Sequence, residues 1–223
     1  MKLYVYYILR TASVFFLLCL LTFKVQAQNL NTSVELSEDE REFLEHKAVE
    51  KINEFLSYIP EIAAKSNKSE EEKKLARKYI GLTLGLFIGG GERYPYTDNA
   101  GIWRWHDGVK VQTIARGRAN TPKPITKYLE QLMTLPYHKV VIETCNTIVI
   151  NNIYKLDDGQ YVANANVMVV SQNVQDGRLE IKRSNLQMNI YIKPQIIDVC
   201  GQTKTYWPTY LGDMRINLEG ICY

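Results

Sequence analysis

Cysteine and histidine are scarce in this chain, four and three in 223 residues, and their scarcity closes several routes to chemistry. His46, His106 and His138 share no i,i+4 spacing and have no cysteine pair beside them, so a zinc pattern is missing and no metal or other cofactor is expected. No Gly-x-Ser-x-Gly segment exists to form a hydrolase elbow. Gly89-Gly-Gly91 is followed by Glu92-Arg93 where a phosphate loop needs Lys-Ser or Lys-Thr, so that run reads as a helix stop. Strong charge of either sign is lacking too. A net +3 falls short of the uniform basic field that a nucleic-acid binder presents, and no nucleic-acid partner is expected.

A membrane-spanning run, which takes about 20 apolar residues, is a further absence. The apolar stretch Thr11 to Phe23 has 13, and extending it toward Met1 would bury Arg10 at about 2.5–3.5 kcal/mol. With Lys2 and Arg10 before it and Val25-Gln-Ala27 after it, the stretch has the layout of a cleavable secretory signal. Leu18 is bulky where lipoprotein processing at Cys19 would need a small residue. The expectation is a leader at 1–27, no stable membrane span after its removal, and an exported domain at 28–223 in the periplasm or outside the cell. Cleavage removes Lys2, Arg10 and Lys24 and no acidic residue, leaving 24 basic against 24 acidic groups over 196 residues. That length suits one domain with a core of its own. Cys145, Cys200 and Cys222 survive, an odd number in an oxidising compartment. A Cys200–Cys222 bridge would tie down the tail while Cys145 lies buried in a strand; other pairings, or three thiols, stay open.

Helical signals fill the first half. Ser37 with Glu40 and Ser69 with Glu72 match the capping box. Leu44, Ala48, Ile52, Phe55 and Ile59 then form an amphipathic stripe that Pro60 ends or kinks. Leu75, Tyr79, Leu82 and Leu86 repeat it as far as Gly89. After a short strand at 109–115, Thr121-Pro-Lys-Pro124 opens a third helix of about 12 residues, since proline costs nothing near a helix start. From His138 the period changes to two. Asp157-Asp-Gly159 and Gln175-Asp-Gly177 supply hairpin turns between strands expected at 138–154, 160–173, 178–193 and 205–218. Leu179 and Ile181 are odd while Leu186, Met188, Ile190 and Ile192 are even, which predicts a bulge or bend near Arg183-Ser-Asn185.

This order, α-α-β-α-β-β-β-β, resembles that of the NTF2-like, or cystatin-like, α+β superfamily over about residues 35–218. The likeness is carried by Gly85-Leu-Phe-Ile-Gly89, by the helix Pro124-Ile-Thr-Lys-Tyr-Leu-Glu-Gln-Leu132 with Tyr137-His-Lys-Val-Val141, and by Leu211-Gly-Asp-Met-Arg215. The chain is also similar to small secreted bacterial proteins of this shape whose role is unassigned. The resemblance implies helices packed on a strongly curved antiparallel sheet that forms a cone. Isomerases, dehydratases, secretion scaffolds and binding modules all use that shape, and it often dimerises through its sheet's open face, so a homodimer is one expectation.

Three groups of residues are candidates for function. Tyr94, Tyr96, Trp103, Arg104, Trp105 and His106 crowd into a stretch at 89–108 that reads as a long aromatic loop, suited to stacking on a sugar or holding a peptide. Lys110, Arg116, Arg118, Lys123 and Lys127 form a basic patch for an anionic partner such as an acidic glycan or a membrane surface. Tyr161 and Asp213 could face one cone cavity, with Asn164 and Asn166 sharing a strand face. No acid, base and orienting group can be placed together by spacing, so a non-catalytic module binding an envelope protein or glycan is expected. The alternatives are a small-molecule carrier or enzyme using the cone, and a subunit of a surface or secretion assembly.

Overall fold

Two serine–glutamate pairs start the helical layer where their spacing predicts. A computed structural model describes residues 36–64, 69–97, 102–145, 148–156, 158–200 and 202–222; the expected leader lies outside these residues. Helix α1 (Glu38–Ala63) opens with Ser37 Oγ accepting from Glu40 N at 3.3 Å while the Glu40 carboxylate accepts from Ser37 N at 3.1 Å. Helix α2 (Glu70–Leu84) opens the same way on Ser69 and Glu72. Along α1 the whole apolar stripe is buried, and the helix continues through Pro60 to Ala63.

On α2 the buried face differs from the expected one. Ala76, Ile80 and Thr83 face inward, whereas Leu75 and Leu82 are exposed. Small Ala76 lets the two helices approach, and Tyr79 meets Tyr58 with ring centres 5.8 Å apart. The helix also stops at Leu84, short of the glycine run. Leu86 and Phe87 then enter the core, and Leu86 O accepts from Leu211 N at 2.9 Å. The glycines form a separate 3-10 turn, Ile88–Gly91. Gly91 has φ +78°, and a Cβ there would lie 2.5 Å from Ile125 Cγ2, so no larger residue fits.

The strands follow as β1 (Tyr94–Thr97), β2 (Trp103–His106), β3 (Lys110–Ala115), β4 (Arg118–Ala119), β5 (Lys123–Pro124), then helix α3 (Ile125–Met133), then β6 (Lys139–Thr144), β7 (Val149–Lys155), β8 (Tyr161–Gln175), β9 (Arg178–Ile192), β10 (Gln195–Val199), β11 (Gln202–Tyr206) and β12 (Thr209–Cys222). The fold is α+β, with three described helices and an open, mixed, mostly antiparallel sheet ordered β4-β3-β12-β9-β8-β6. Strand β5 joins β3, and β7 joins β8 beyond β6. The β3–β12 pair alone is parallel among the described pairings of this sheet.

Several expectations need correction. The strand expected at 138–154 is two strands, both paired with β8. The last strand begins at Thr209, because Gln202–Tyr206 turns back to pair with β10. No bulge interrupts β9 against β8: their register runs unbroken from Tyr161↔Ile192 to Gln175↔Arg178. Against β12 the register does shift at the expected place, between Leu218↔Ser184 and Gly220↔Arg183, with the extra residue in β12 and not in β9, and it shifts again between Leu211 and Met214. Leu179 therefore sits on the face away from the helices, 59% exposed.

One sheet face is apolar. Tyr161, Ala163, Ala165, Val167, Leu186, Met188, Ile190, Ile192, Leu211, Met214 and Ile216 pack against α1 and α3 in one core. Each large side chain buried there contributes about 1.5–3 kcal/mol, which fixes which face of the strands turns inward. No described helix is long and apolar enough to cross a membrane.

Candidate functional site

Strand alternation puts what the core rejects on the opposite face. Between the buried residues of β8 and β9 stand Asn164 and Asn166, and Asn185, Gln187 and Asn189. Register lines them up across the sheet. One row reads Asn151, Asn164 and Asn189, ending on the bulge at Gly212-Asp213. The next reads Asn166, Gln187, Arg215 and Gln112. These rows floor a groove of about 570 Å³ that carries seven amide side chains together with Lys110, Asp213 and Arg215, a size within the range of about 300–1,000 Å³ typical of ligand sites.

The bulge builds one end of the groove. Two residues of β12 stand opposite Asn189, and Asp213 Oδ1 accepts from the Lys110 backbone N at 2.8 Å, locking β3 to the bulge. Gly212 is required there, because a Cβ would lie 2.4 Å from Tyr191 Cε2. The Tyr191 hydroxyl has its pKa raised by burial first and by the Asp213 charge second. Tyr94 comes in from β1. Burial, then Tyr191 and Asp213, push its hydroxyl far above the usual phenol range, so both phenols stay protonated donors at neutral pH.

The expected aromatic loop is a correction in form: it is a hairpin, with Tyr94↔His106 and Tyr96↔Arg104 in register. Tyr94 stacks on His106 with ring centres 4.9 Å apart, and Tyr96 meets the same imidazole edge-on at 6.4 Å. On the ribbon's other face Trp103 and Trp105 are 72% and 57% exposed, with the Arg93 guanidinium 5.1 Å from the Trp105 ring centre. The tryptophans therefore do not close the core.

The basic group is divided among several places. Lys110 lies on the groove with Nζ 3.4 Å from Asp107. Lys123 pairs across from buried Val111 and donates to Gln131 on α3, on the helix side. Arg116, at φ +51°, and Arg118 sit at the far end of β3, and Lys127 is exposed on α3. Tyr161 and Asp213 do not share a cavity: Tyr161 is in the core beside Trp207, and Asp213 is on the other face.

Cys145 and Cys200 are exposed thiols. Cys200 follows β10 at the turn into β11, and the side chain of Cys222, with it the expected Cys200–Cys222 bridge, lies outside the described residues. The expected burial of Cys145 is thus corrected. Among the described residues no group of three His, Cys, Asp or Glu could hold a metal.

The residues missed from sequence are Gln112, Asn151, Asn152, Gln187, Asn189 and Arg215. Their signal was present as Asn185-x-Gln187-x-Asn189 alternating with Leu186, Met188 and Ile190, an amide at each outward position. Set against known proteins, the chain matches no family model, no curated protein and no solved structure. Function therefore has to come from the chemistry of the site. Amides do not titrate, each offers a donor beside an acceptor, and the carboxylate on the groove already holds a backbone N–H. Such a lining is suited to hydrogen bonding more than to proton transfer.

Proposed function

We propose that this is an exported, non-catalytic binding module of the cell envelope, NTF2-like in architecture, whose ligand lies in the amide groove with the aromatic hairpin at one end. The observation that carries this reading is the concentration of seven amides on the side of the sheet that no described helix covers, opposite a packed core. The NTF2-like part is supported by helices covering one face of long antiparallel strands that bulge at Asp213. The enzyme alternative has less support, because Tyr161 is core and, among the described residues, no acid or base held by a third group is paired with Asp213.

The test is capture of envelope material by residues 28–223, comparing the parent protein with Asn166→Leu plus Gln187→Leu and with Trp103→Ala plus Trp105→Ala. Capture should fall at least tenfold in the groove variant at an unchanged thermal midpoint. Undiminished capture would remove the groove from the account. Light scattering separates the assembly reading: a discrete dimer that the groove variant dissolves would make this face an interface between copies.

A further inference from the structure

Resting on the groove as the binding site, we infer that its ligand is an acidic glycan, a saccharide whose ring carboxylate is held by Arg215. A sugar ring presents vicinal hydroxyls, each both donor and acceptor, and the amide presents the same pair of functions side by side. Rows of Asn and Gln at strand spacing therefore match a chain of hydroxyls, which an apolar peptide groove would not.

Charge placement narrows the class. Arg215 stands within a row, with Gln187 on one side and Gln112 on the other, and it makes no described ion pair. Its planar fork suits two carboxylate oxygens, a geometry lysine lacks. Asp213 lies two residues away on the same face and repels an anion from the neighbouring row while accepting from hydroxyls. The two charges thus set one orientation, carboxylate toward Arg215 and hydroxyls toward Asp213, Asn189 and the Tyr94 end.

The test uses the whole mature chain against arrayed glycans ending in glucuronate, galacturonate or sialate, with neutral and sulfated counterparts, followed by calorimetry on the strongest carboxylate ligand and its methyl ester. The ester should bind at least tenfold more weakly than the acid. Arg215→Gln should close that gap while keeping the parent's thermal midpoint, and Arg215→Lys should restore little of it. Equal binding of acid and ester, or of sulfated and carboxylated glycans, would overturn the carboxylate anchor. If no glycan binds while envelope capture still depends on Asn166 and Gln187, the glycan inference fails and the groove survives, with a protein as its occupant. If glycans bind the groove variants as tightly as the parent, both fail.

Discussion

The two faces of the β8–β9–β12 sheet differ by one residue of register and by everything chemical. Met188 is 3% exposed in the core, and Gln187 beside it is open to solvent in the groove. The helix-facing side is specified by volume and exclusion of water, while the outer side is specified by hydrogen-bonding groups that contribute little to folding. A residue's cost to the fold and its cost to binding should therefore separate cleanly along the same strand.

The largest break in that comparison comes from exchanging chemistry between faces. Met188→Asn would bury an unsatisfied amide and leave a cavity, and should cost about 3–5 kcal/mol in urea unfolding. Gln187→Leu should stay within about 0.5 kcal/mol and still lower envelope capture. A smaller effect is expected at the bulge, where Gly212→Ala forces Tyr191 aside. Overpacking of this kind costs about 1–3 kcal/mol, and weakened ligand binding should accompany it.

The packed side also carries a pH signature. Lys182, together with the Tyr137 hydroxyl, holds the Glu180 carboxyl below the usual range. A depressed folded pKa gives stability that is present above the unfolded value, about 4.3 for glutamate, and lost as pH falls through the folded one. The stability difference between the parent and Glu180→Gln should therefore vanish in acid denaturation below that window. The smallest effect on folding belongs to Trp103→Ala, within about 0.5 kcal/mol at so exposed a site, measured by the same urea titration.

Local signals were legible in the sequence. Both capping boxes form, and Asp176-Gly177 turns β8 into β9 with φ of +49° and +74°. What the sequence hid was long-range. The β12–β3 pairing joins residues about a hundred positions apart and brings Arg215 beside Gln112, and no periodicity reports such a partnership. The hairpin at 94–106 was hidden for another reason. Aromatic rings on both faces of a short ribbon erase the alternation by which a strand is recognised. Asn164 and Asn166 were visible as a pair, yet their meaning depended on Gln187, Asn189 and Arg215 arriving beside them from other strands.

The most direct test of the central claim is a two-dimensional NMR titration of isotopically labelled residues 28–223 with the envelope fraction that the protein captures. The account predicts shifted side-chain amide signals from Asn164, Asn166, Gln187 and Asn189, with Gly212 and Arg215 backbone signals moving alongside and core signals still. Shifts confined to the β10–β11 hairpin or to the edge near Arg116, with those amides unmoved, would contradict it.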